Sequence, residues 1–148
     1  MTALNEAFLM EDHGELFFSM WYGVYHWETK ELNYVCAGHP LPLIISGESP
    51  VPFSSRQNIP LGWRTGHKYV EESLTMQAGS RMYLFSDGAY EIEKQDDKMM
   101  SLDDFYQMLA VEDKTSPCDL DQLIIKLQQI QGKEDFIDDL SLIRVEFL

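Results

Sequence analysis

With 11 basic against 25 acidic side chains in 148 residues, the chain carries a formal charge of −14, and 45% of its residues are hydrophobic and 12% aromatic. That length and apolar content suit one domain, residues 1–148, with a real core, and exclude a disordered tail or a fibrous protein. The charge argues against nucleic acid and against an anionic membrane surface, since both attract clusters of Lys and Arg.

No apolar run approaches the ~20 residues of a membrane span, and the first residues lack the basic-then-apolar pattern of a signal peptide. The two cysteines, Cys36 and Cys118, share no CxxC spacing. Cys36 lies in an apolar run and reads as a buried free thiol. A cytoplasmic protein is expected.

Residues 4–10 read as a short helix ending at the turn Asp12-His13-Gly14. The aromatic stretch 17–27 has high β-propensity and apolar residues on both faces, which predicts an interior strand. Trp21, Tyr22, Tyr25 and Trp27 within it read as core rather than as ligand-stacking rings. Residues 28–31 form a polar turn, and 32–36 return as the second strand of a hairpin. A third strand is expected at 41–45, then a loop containing Gly47, Pro50 and Pro52. Asn58-Ile59-Pro60-Leu61-Gly62-Trp63 is punctuated like a loop held in one shape.

Strands are expected at 69–76 and 81–85, the latter running into Ser86-Asp87-Gly88. Ser101 with Asp104 three residues later is a capping-box start for a helix whose apolar face is Leu102, Phe105, Met108 and Leu109. A second helix is expected from Ser116-Pro117, with the stripe Leu120, Leu123, Ile124 and Leu127, ending before Gly132. Residues 140–148 alternate as a terminal strand. The order implies an α+β fold, with helices covering one face of antiparallel sheets.

Two acidic points could carry chemistry. Asp87 ends an apolar strand and is followed by Gly88, and Asp138-Asp139 opens the final strand. Carboxylates fixed at strand ends suit Mg²⁺ or Mn²⁺, which take oxygen ligands from separate elements. On spacing alone, the plainer reading is an Asp-Gly turn and a solvated acidic loop.

Four segments in order shift that reading. Tyr34-Val35-Cys36-Ala37-Gly38-His39-Pro40-Leu41-Pro42-Leu43 resembles the strand–AGHPP–strand segment of the bacterial SpoIIE/RsbU-type phosphatases, a metal-dependent PPM (PP2C-like) class. Ile59-Pro60-Leu61-Gly62 is similar to the family's LPLG loop, and Leu84-Phe85-Ser86-Asp87-Gly88-Ala89-Tyr90-Glu91 to its LYTDGVxE segment. Asp138-Asp139-Leu140-Ser141-Leu142 is similar to its closing DDxTL.

The resemblance implies a PP2C-like β-sandwich of antiparallel sheets flanked by helices. It also implies two Mn²⁺ or Mg²⁺ ions held by aspartates, here Asp87 and Asp138, with Gly88 and Asp139 as weaker candidates. Their carboxylates should then converge in a shared cleft between stacked sheets. The paired metals would activate a water that attacks a phosphoserine or phosphothreonine. By the same resemblance, the parent is a signalling or response-regulator protein, and the substrate is a phosphorylated anti-sigma-factor antagonist. Gly38, His39, Pro40 and Gly62 are expected to shape loops, His39 through a local hydrogen bond, although a general acid is the other reading of that imidazole. Glu91 supports the loop after Asp87 or lies exposed.

The family's leading GDxxGHG-like stretch, which supplies a bridging Asp, has no counterpart: the sequence contains no Gly-Asp dipeptide. The fold is therefore expected to be incomplete at its N-terminus, either a piece of a longer chain or a divergent member. The chain alone is expected to be inactive and to cover its open strand edges by forming a homodimer. The rival reading is a catalytically dead, phosphatase-like adaptor that docks a sigma factor or its regulator.

Overall fold

The computed structural model describes residues 1–47, 49–51, 58–112 and 119–148, which fall into two compact units, 1–41 with 54–77 and 42–53 with 78–148. The strands are β1 (Met20–His26), β2 (Glu31–Ala37), β3 (Leu43–Ser46), β4 (Ser49–Val51), β5 (Glu72–Thr75), β6 (Arg81–Phe85) and β7 (Leu142–Glu146). The helices are α1 (Thr2–Ala7), α2 (Leu102–Glu112) and α3 (Leu120–Gln131). The α+β expectation holds. No helix among the described residues is long and apolar enough to cross a membrane.

The first unit holds an antiparallel sheet in the order β1-β2-β5. Its central strand, β2, buries Leu32, Tyr34, Val35, Cys36 and Ala37, as a strand flanked on both sides should. The free, buried thiol expected at Cys36 is found, and burial pushes its pKa up; Cys118 lies outside the described residues.

The stretch 17–27 departs from expectation. Its strand covers only Met20–His26 and, among the described residues, lies at an edge of the sheet rather than in its interior. Tyr22 (55%) and Trp27 (61%) are too exposed to be core, while Trp21 lies over Gly23 and stacks on Tyr34 with ring centroids 6.2 Å apart. Apolar residues on both faces report burial propensity. They do not report whether a neighbouring strand exists.

Tyr34, 4% exposed and opposite Glu72 in the register, has its hydroxyl pKa pushed up to about 12 by burial and then by the Glu72 carboxylate it hydrogen-bonds. The folded state therefore holds this proton more tightly than the unfolded chain does. The associated stability is complete below pH ~10 and is lost as pH rises toward ~12, by roughly 2 kcal/mol. Urea unfolding at pH 8 and pH 11 is expected to show part of this loss in the native chain and less of it in Tyr34→Phe.

The second unit holds an antiparallel sheet in the order β4-β3-β6-β7. β4 occupies what the sequence presents as a Gly/Pro loop. Pro50, which lacks an N–H, is tolerated because β4 is an edge strand. Pro52 lies outside the described residues. Leu43, Ile45, Tyr83 and Phe85 pack with Phe105 and Leu109 of α2 and Leu123 and Leu127 of α3, so the helices cover one sheet face as their apolar stripes require.

The capping box of α2 closes reciprocally: Asp104 N donates to Ser101 Oγ and Ser101 N donates to Asp104 Oδ2, both at 3.1 Å. α3 starts at Leu120, later than expected, because the Asp119 side chain accepts from Asp121 N and caps the helix there; Ser116 and Pro117 lie outside the described residues. Gly132, in the left-handed region, ends it as expected.

Candidate metal-binding site

The second unit brings the two acidic points together through strand pairing. β6 and β7 run antiparallel with Phe85 opposite Leu142, which sets the residues after β6 beside those before β7. Ser86 extends that pairing. Its N–H donates to the Ser141 carbonyl (3.0 Å), and its hydroxyl donates to the Asp139 carbonyl and accepts from Ser141 N, both at 2.8 Å. A serine hydroxyl has one proton and two lone pairs, so both of these bonds form at once.

Beyond Ser86 the chain makes a tight 3-10 turn, Asp87–Ala89, closed by Tyr90 N and Glu91 N donating to the Asp87 carbonyl. Gly88 is buried in it. A Cβ there would lie 2.6 Å from the Asp139 carbonyl oxygen and 3.3 Å from that of Asp138. The glycine is required for close approach of two backbone segments, not for a left-handed torsion. Asp87, Asp138 and Asp139 are all exposed, and Glu91 is exposed beside them. The Asp87 carboxylate accepts from Gly88 N (3.1 Å) and the Asp138 carboxylate from Asp139 N (2.8 Å). Each thus binds the next amide in its own turn and stays open to solvent.

The last strand begins only at Leu142, so Asp138-Asp139 lies in the segment ahead of it rather than at its start, and Asp87 lies in the turn after β6. Carboxylate oxygens from two separate segments are the donor chemistry a divalent cation takes. Among the described residues, no group of three or more His, Cys, Asp or Glu side chains is placed to hold a metal ion.

The remaining sequence candidates lie in the first unit. Gly38 adopts φ 67° and packs against Pro60, where a Cβ would come within 2.6 Å of the ring. His39 Nδ1 donates to the Pro40 carbonyl at 2.7 Å, and Cys36 Sγ donates to the His39 carbonyl at 3.0 Å. This is the local hydrogen bonding expected of a turn histidine. Gly62 adopts φ 84° with its α-carbon packed against the Phe8 carbonyl.

Two asparagines escape a reading based on motifs. Asn58 fastens the loop before Gly62: its Nδ2 donates to the Cys36 and Val70 carbonyls (3.2 Å each), and its Oδ1 accepts from Val70 N (2.8 Å). Asn5, fully buried in α1, accepts from Gly62 N and the Tyr69 hydroxyl and donates to the Arg64 carbonyl, each at 2.9 Å. Asn58 stands at a turn signal. Nothing in the sequence around Asn5 marks it.

The family model for stage II sporulation protein E (SpoIIE) matches residues 1–148. Among solved structures, the chain is similar to the RsbU and RsbW domains of a Mycobacterium tuberculosis protein (TM-score 0.69, 22% identity, 93% of this chain and 38% of that one). It is similar to the Mn-presoaked phosphatase domain of the cell-fate determinant SpoIIE from Bacillus subtilis (TM-score 0.63, 15% identity, 87% and 56%). It also matches RsbX in complex with magnesium (TM-score 0.61, 16% identity, 95% and 59%). The chain thus has the fold of PP2C-type phosphatase domains and spans 38% to 59% of the length of these three chains. No curated protein sequence matches it.

Proposed function

Because the chain belongs to the stage II sporulation protein E (SpoIIE) family, we propose that it is the C-terminal portion of a metal-dependent protein-serine/threonine phosphatase domain in a cytoplasmic bacterial signalling protein. The observation that carries this reading is the convergence of the Asp87 turn and the Asp138-Asp139 segment, fastened by Ser86. Asp87 and Asp138 are the metal ligands, with Asp139 and the Gly88 backbone beside them. Manganese and magnesium, which accompany two of the related structures, are the candidate ions. When bound, two such cations polarise water and offset the charge of a phosphoryl group. This chain contributes two carboxylates and the close backbone contact between the segments that carry them. The substrate is a phosphoprotein of the anti-sigma-factor-antagonist kind.

The sequence has no Gly-Asp dipeptide, and so no counterpart of the bridging Asp in the family's leading motif, which is the ground for proposing that the chain on its own is inactive. In an assay of p-nitrophenyl phosphate hydrolysis with Mn²⁺, the isolated chain is expected to release no product above background. The domain completed by an upstream GDxxGHG-like segment is expected to turn over and to lose activity in EDTA. A metal-independent rate in the completed domain contradicts the reading. The same shortage of ligands favours one alternative, an adaptor that docks a sigma factor or its regulator, and a completed domain inert in every divalent cation selects it. We further propose that the isolated chain dimerises along β1, an edge strand beside the exposed Tyr22, Val24 and Trp27. Sedimentation of a strict monomer at high micromolar concentration rejects that assembly.

A further inference from the structure

We infer that Ser86 is a positioning residue for the cation site: its hydroxyl clasps the 139–141 backbone and so sets the separation of the Asp87 and Asp138 carboxylates. The inference rests on the metal-binding reading of those two aspartates. Three hydrogen bonds from this one residue reach the facing segment, to the Ser141 carbonyl, the Asp139 carbonyl and the Ser141 amide. Two of the three pass through the hydroxyl. They occur where the β6–β7 ladder has ended, just before the chain turns away at Asp87.

Gly88 shows what the clasp achieves. Its α-carbon sits so close to the Asp138 and Asp139 carbonyls that a methyl group has no room. Among the described residues, both aspartate carboxylates bond only amides of their own turns, so neither holds the other segment in place. Between residues 86–88 and 138–141, the side-chain bonds that fix the distance are therefore those of Ser86. Groups that orient a metal ligand without touching the metal commonly contribute ten- to a hundred-fold in affinity.

The test uses the 148-residue chain and three variants, Ser86→Ala, Ser86→Thr and Asp87→Asn, followed by NMR. Without metal, the Ser141 amide is expected to exchange at least ten-fold faster in Ser86→Ala, with Leu123 in α3 unchanged as evidence that the fold stands. Ser86→Thr, which keeps the hydroxyl, is expected to restore protection. With Mn²⁺ added, amides at 87–88 and 138–141 should broaden in the native chain. The midpoint should shift about ten-fold higher in Ser86→Ala, remain native-like in Ser86→Thr, and be lost in Asp87→Asn.

Unchanged Ser141 exchange in Ser86→Ala overturns the clasp. Mn²⁺ broadening lost in Asp87→Asn but unaltered in Ser86→Ala overturns the positioning role while leaving the metal reading standing. Broadening absent in the native chain, or unaffected by Asp87→Asn, overturns metal binding by this chain's Asp87 and Asp138, and the positioning role with it.

Discussion

Gly62→Ala is expected to destabilise the chain by about 2–5 kcal/mol, a large share of the roughly 5–15 kcal/mol that stabilises an ordinary domain. Two costs add at this position. The residue adopts φ 84°, where an L side chain costs roughly 1–2 kcal/mol. In addition, its Cβ would overlap the Phe8 carbonyl, a backbone atom that cannot rotate away, and forcing a group into packed space costs about 1–3 kcal/mol. Relief by local movement is blocked, because Gly62 N donates to the buried Asn5 and the Gly62 carbonyl accepts from Met10 N at 2.9 Å. Gly66→Ala is the control: it has φ 69° but nothing within 4 Å of its Cβ, so only the torsional cost applies. Urea midpoints of the two variants should differ clearly. Equal midpoints would remove the packing argument for the Gly62 loop.

The parts of this molecule legible in its sequence are those whose determinants are local. The capping box at Ser101 and Asp104, the glycine stop at Gly132 and the strand Arg81–Phe85 all depend on residues within one turn or one strand. The edge position of β1 depends on what lies beside it in space, which an apolar run cannot encode. β4 is obscured because Pro50 signals a loop and an edge strand equally well.

The same division holds for the candidate site. Asp87 and Asp138 stand out in the sequence as carboxylates flanking predicted strands, and although the last strand begins only at Leu142, the pairing of β6 with β7 brings their segments together. Ser86 is visible only as a residue of a motif. Its function as a clasp depends on Asp139 and Ser141, 53 and 55 residues away. Asn5 is hidden for the same reason, since its partners lie 57 to 64 residues along the chain.

The second large effect concerns catalysis in the completed domain. On the proposed assignment of Asp87 and Asp138 as metal ligands, Asp87→Asn and Asp138→Asn each keep the side-chain shape and remove one anionic ligand, so each is expected to lower Mn²⁺-dependent turnover by about a hundred-fold or more. Neither change should disturb folding, because both side chains are exposed and, among the described residues, bond only neighbouring amides. An asparagine oxygen still accepts those bonds.

The most direct measurement is the double-mutant cycle on these two positions, read as kcat/KM for p-nitrophenyl phosphate across a Mn²⁺ titration. If the two carboxylates serve one cation site, the first substitution removes what the second would remove, and the double variant is no slower than the worse single one. Losses that multiply, or single variants as active as the native domain, would contradict a shared site at the paired ends of β6 and β7.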